Sequence, residues 1–65
     1  MKASAGDKEL IQRFIAQARR RSITIKQMAN EVGMSMTWGR FLVNGRITVL
    51  RFRTRSLIQK FLGEI

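Results

Sequence analysis

Two stop signals, Gly33 and Asn44-Gly45, leave room for only one short helix between them, and this punctuation constrains the fold more than any other feature of the chain. Glycine takes the left-handed backbone that ends a helix, and Asn-Gly does the same. Ser35 stands where an N-cap is needed, so the spacing predicts a helix over residues 36–43. The segment before Gly33 is marked just as firmly. Thr24 and Gln27 have capping-box spacing, and Ile23 and Met28 fit a hydrophobic staple around that cap. Ile25, Met28, Ala29 and Val32 are expected to form the buried face of this second helix. Helices this short are not stable alone and must be held by the rest of the chain.

The flanking segments supply that support. Leu10, Ile11, Phe14, Ile15 and Ala18 recur at three- and four-residue steps, the stripe of a first helix. Ser4 and Asp7 are placed to form a capping box, or Asp7 to cap the helix by itself, and residues 1–6 are read as a flexible lead-in. Arg19, Arg20 and Arg21 fall in its last turn, where cations suit the negative end of the helix dipole. Toward the C-terminus, Leu50, Thr54, Leu57, Ile58, Phe61, Leu62 and Ile65 share one helical face, with Thr48 as a candidate cap. The stretch "ITVLRFRT" is rich in residues that also favour strands, so residues 47–53 are read as a loop or turn leading into a last helix over "SLIQKFLG". The fold class is all-α: one domain over residues 1–65, a compact bundle of four to five short helices.

Composition narrows function. The chain has no Cys and no His, which removes disulfides, thiol nucleophiles, imidazole bases and the usual zinc ligands. Four scattered acids, Asp7, Glu9, Glu31 and Glu64, form no catalytic pair, so no catalytic residue, metal, cofactor or small-molecule substrate is expected. No apolar run approaches the ~20 residues of a bilayer span, and "MKASAGDKEL" lacks the apolar core of a secretory signal. A cytoplasmic protein with no membrane partner is expected. The net charge is +9, and from Val32 to Gly63 there is no acid against Arg40, Arg46, Arg51, Arg53, Arg55 and Lys60. Such self-repulsion opposes folding and points to a polyanionic partner.

A brief acid-free helix behind a braced helix and a glycine turn is the plan of a helix-turn-helix, in which the second helix lies in the DNA major groove. "IKQMANEVGMSMTWGRFLVNG" resembles the helix-turn-helix of the lambda-repressor-like family, the phage repressors, Cro-type proteins and their bacterial relatives. The resemblance is carried by Met28-Ala29, Val32-Gly33-Met34, Leu42 and Asn44-Gly45, and extends over roughly residues 10–63. It implies a transcriptional regulator that binds double-stranded DNA. Base contacts then fall to Ser35, Met36, Thr37, Arg40 and Asn44, and phosphate contacts to Thr24, Lys26, Gln27, Arg46, Arg51 and Arg53. Two positions depart from the family pattern. Ile25 stands where the family usually has Gln, and Gly39 stands where it has Ile or Val, a slot that Trp38 is expected to fill.

Blander readings compete with these assignments. Met36 and Trp38 suit a core, Thr37 suits an ordinary surface, and Arg51, Arg53 and Arg55 suit a solvated face. The alternative functions are an architectural or recombination-accessory nucleic-acid binder with little base readout, and a cationic protein-interaction or membrane-active helical module. One recognition helix reads few base pairs, so a homodimer is expected, at least on DNA. Leu62 and Ile65 are assigned to its interface because the terminal apolar residues exceed what one helix face can bury.

Overall fold

The computed structural model describes the backbone of residues 2–64 and the side chains of residues 7–64. The cap assigned to Ser4 and the dimer contact assigned to Ile65 therefore lie outside the described residues. Among those described there are four helices and no strand: α1 (Lys2–Arg20), α2 (Ile25–Glu31), α3 (Met36–Val43) and α4 (Phe52–Phe61). The all-helical bundle matches the fold class read from the sequence. Its connections differ in how they are closed. Gly33 (φ +71°) and Gly45 (φ +80°) end α2 and α3 in the left-handed region. Ser22 (φ +57°) closes α1 without a glycine.

Each helix contributes one large, fully buried side chain to a common centre: Phe14, Met28, Leu42 and Ile58. Leu10, Ile11, Ala18, Val32 and Leu50 complete the cluster. Phe14 meets Phe61 edge-to-face with ring centroids 5.1 Å apart, an arrangement favoured by the ring quadrupoles. The Arg21 guanidinium lies 4.5 Å from the same Phe61 ring centroid, so one member of the basic triplet covers the core's edge.

Two expectations about helix starts are corrected. Helix α1 begins at Lys2, so Asp7 lies within the helix and is buried. Its carboxylate accepts from the Leu50 backbone N–H (3.0 Å) and from Arg55 Nε (3.0 Å) and Nη2 (3.3 Å), tying α1 to the loop before α4 and to α4 itself. The N-cap of α4 is Arg51 rather than Thr48, and it has no side-chain cap bond. The Asp7 clasp fixes the backbone at Leu50 and so sets where the loop hands over to α4. Leu50 is accordingly buried from the loop rather than from a helical face.

The gap at Gly39 is filled from the opposite helix. A Cβ built at Gly39 would lie 2.8 Å from Ile25 Cγ2, 3.3 Å from the Ile25 carbonyl oxygen and 3.4 Å from Ala29 Cβ. Ile25 and Ala29, rather than Trp38, therefore occupy this slot. Ile25 is nonetheless exposed (37%) rather than buried as expected, because it sits at the first position of α2 and its side chain reaches Gly39 through Cγ2. Ile25 and Gly39 thus form one packing solution, in which a glycine on α3 receives a branched side chain from α2. Alanine is the better helix former by about 1 kcal/mol, but the Ile25 methyl sits on a stiff β-branched stem and cannot swing away. Gly39→Ala is expected to destabilise by about 1 kcal/mol, the overpacking cost exceeding the propensity gain. In an Ile25→Ala background the same change should be neutral or stabilising. Urea midpoints of the four proteins test the coupling, and a stabilised Gly39→Ala single variant would refute it.

Candidate nucleic-acid interface

Helix α3 is held on one side and bare on the other. Ser35 caps it, its Oγ accepting from the Trp38 N–H at 3.3 Å. Gly39 and Leu42 are buried, and Trp38 and Val43 pack half-buried against the core. On the opposite side Met36, Thr37, Arg40, Phe41 and Asn44 are all exposed, Met36 and Phe41 at 43% each. The sequence-assigned base-contacting residues Met36, Thr37, Arg40 and Asn44 thus share one solvent face. Ser35 stands at its start, with its acceptor engaged by the cap and its O–H left to donate. Phe41 belongs to this face and was unassigned from sequence. Its position next to Arg40 and four residues after Thr37 is the signal that places it there.

The assigned phosphate-contacting residues come from three places around α3. At the start of α2 the capping box is complete: the Thr24 N–H donates to Gln27 Oε1 (2.9 Å), and the Gln27 N–H donates to Thr24 Oγ1 (3.1 Å). Each of these side-chain oxygens accepts one bond, and the Thr24 O–H, the Gln27 amide N–H2 and the exposed Lys26 ammonium are available as donors. This turn lies beside the middle of α3 through the Ile25–Gly39 approach. Thr24→Ala is expected to cost about 1 kcal/mol through loss of the cap, with the fold retained. Thermal melting followed by circular dichroism reads this, and an unmoved midpoint would mean that the cap carries no stability.

At the other end of α3, the Arg46 N–H donates to the Phe41 carbonyl (2.9 Å), and the Arg46 guanidinium lies 5.9 Å from the Phe41 ring centroid. The turn at Gly45 thus sets Arg46 beside the exposed face. Arg51 and Arg53 are exposed and line a groove shared with Gly33 and Met34, at the approach to α3. Arg55, the third of the alternating arginines, turns inward to Asp7. Among the described residues a further ion pair joins Arg13 to Glu64. Leu62, assigned to a dimer contact, is half-buried against the core.

No family model, curated protein or solved structure matches the chain. Among the described residues no group of three potential metal-ligating side chains comes together, and no helix is long and apolar enough to cross a membrane. Two further exposed apolar residues went unassigned from sequence: Val49 (65%) in the loop and Phe52 (80%) at the first position of α4. Alternation of apolar and basic residues in "VLRFR" was the available clue, since only Leu50 of its apolar members is buried.

Proposed function

We propose that the protein is a sequence-specific, double-stranded DNA-binding transcriptional regulator of the phage- or plasmid-repressor type, acting through a helix-turn-helix in which α3 enters the major groove. The observation that carries this reading is the outer face of α3, a bare stripe of Met36, Thr37, Arg40, Phe41 and Asn44 on a helix without acids. A groove-reading helix needs a side locked to the body and a side free to meet base edges. In this reading Arg40 takes guanine through a bidentate contact, Asn44 and Thr37 offer hydrogen bonds, and Met36 and Phe41 offer apolar contact to thymine methyls. Thr24, Lys26, Gln27, Arg46, Arg51 and Arg53 set the register on the phosphates. The role is binding rather than catalysis. Two copies on one site double the few base pairs that one such helix reads, with half-sites about one helical turn apart.

Selection from random duplexes, followed by sequencing, tests the proposal. A shared motif with inverted-repeat symmetry is expected. Uniform binding would make the protein an architectural binder, and absence of DNA binding would end the reading altogether. On a selected site, Arg40→Ala should lose about 1–3 kcal/mol more than on random DNA. Arg53→Ala should weaken both equally. Equal loss ratios for the two variants would remove α3 as the reader.

A further inference from the structure

We propose that the groove between the α2–α3 turn and the start of α4 is a docking site for an acidic polypeptide segment bearing an apolar anchor. The groove is open to solvent and has a volume of about 720 Å³, within the usual size range of ligand-binding clefts. Its apolar wall is formed by Met34, Trp38, Val49 and Leu57, and its polar wall by Arg51 and Arg53. Phe52, which falls between Arg51 and Arg53 in the chain, is the most exposed large apolar side chain described, and Val49, which lines the groove, is the next most exposed. Apolar surface and fixed positive charge are thus interleaved along residues 49–53, with no acid anywhere from Val32 to Gly63.

Charge complementarity selects the occupant. A second copy would set Arg51 and Arg53 against their own like charges across a two-fold axis. A duplex would engage the arginines through phosphate but leave Val49 and Phe52 in water. An acidic segment carrying a leucine or aromatic residue satisfies both features, its carboxylates meeting the arginines and its anchor entering the apolar wall. Docking itself does not depend on the DNA reading. Where that reading holds, the shared Arg51 and Arg53 make peptide and duplex mutually exclusive, and the groove becomes a control point beside α3.

Trp38 lines the groove, and it is the sole tryptophan in a chain without tyrosine, so its emission reports occupancy directly. A phage-displayed random dodecapeptide library is panned against the full chain, and enriched peptides are synthesised and titrated by Trp38 fluorescence. The expected peptides combine aspartate or glutamate with leucine, isoleucine or an aromatic residue, and they shift the emission. Val49→Ser/Phe52→Ser should weaken them about tenfold or more, and Arg51→Glu/Arg53→Glu should abolish binding. The serine pair alters only exposed, uncharged positions, so its melting curve and its affinity for random duplex should match the parent. Four results would overturn the proposal: no acidic-apolar enrichment; selected peptides that bind the serine pair as tightly as the parent; an equal loss of duplex affinity in the serine pair, which would assign Val49 and Phe52 to the DNA face; or sedimentation of a free dimer that the serine pair dissociates, which would make a second copy the occupant.

Discussion

Asp7→Ala should remove more than half of the protein's folding stability at 25 °C. Asp7 is 4% exposed, and its carboxylate receives the Leu50 N–H and both the Nε and Nη2 of Arg55. Arg55 Nη2 also reaches the Leu50 carbonyl at 3.5 Å, so the three residues close a small network across α1, the loop and α4. Truncating Asp7 strands the N–H of buried Leu50, and a buried donor left unpaired costs about 1–3 kcal/mol. It also deletes a charge-assisted fork, whose hydrogen bonds contribute about 1.5–3 kcal/mol each. The side chain of Arg55 is 38% exposed and can turn to water, which lowers the total, and about 3 kcal/mol is a fair expectation against the 3–5 measured for broken buried pairs. A domain of this size rarely exceeds about 3–5 kcal/mol of stability, so the loss is most of what there is. Arg55→Ala should be comparably damaging, because it leaves a buried carboxylate without its counter-charge. The double variant should cost little more than either single one, since the first change already dissolves the network. Urea denaturation of the three variants measures all of this. An Asp7→Ala protein within about 0.5 kcal/mol of the parent, the usual range for an inconsequential surface change, would mean that the clasp does not hold α4 in place.

That clasp also marks the boundary of what could be read in advance. The starts and stops of α2 and α3 were legible because each is decided within a few residues: Thr24 with Gln27, Ser35 with Trp38, Gly33 and Gly45 by their own backbone freedom. Asp7 has the composition of a cap and was read as one, but its partners lie 43 and 48 residues away, where no spacing rule reaches. The start of α4 follows from that long-range contact, which is why Thr48 looked like the better cap and Arg51 took the place. Ser22 ends α1 without glycine, so that turn carried no punctuation. Ile25 and Gly39 were each visible as departures from the resemblance, yet their compensation became apparent only when α2 and α3 were brought together. For the site, Met36, Thr37, Arg40 and Asn44 were grouped by the resemblance, and their shared exposure follows from the short helix that Ser35 and Gly45 delimit. Helical periodicity was not enough to separate Arg55, which faces Asp7, from Arg51 and Arg53, which face solvent, because all three belong to one alternating run.

DNA affinity should collapse with modest salt. Each phosphate neutralised by a cation releases condensed counterions and contributes about −0.9 to the slope of log affinity against log salt. Four exposed cations, Lys26, Arg46, Arg51 and Arg53, are assigned to phosphates around α3. One copy on a duplex should therefore give a slope of about −4, and raising salt from about 50 to 200 mM should weaken it more than a hundredfold. Two copies bound together should approach about −7, a loss on the order of ten-thousandfold over the same interval. Fluorescence anisotropy across a salt series measures the slope, and analytical ultracentrifugation of the saturated duplex counts the copies. The two readings constrain one another. A slope near −7 with two proteins per duplex supports paired binding, whereas a slope near −4 with one protein per duplex supports a monomeric reader and ends the expectation of a homodimer. A nearly flat response would be more damaging, because the acid-free stretch from Val32 to Gly63 would then not be meeting phosphate at all. Neutralising Arg51 and Arg53 together should reduce the slope by about 2 per copy while leaving the preferred sequence unchanged. Arg40→Ala should do the converse, changing the preferred sequence more than the slope, because a base contact specifies the site and a phosphate contact only holds it.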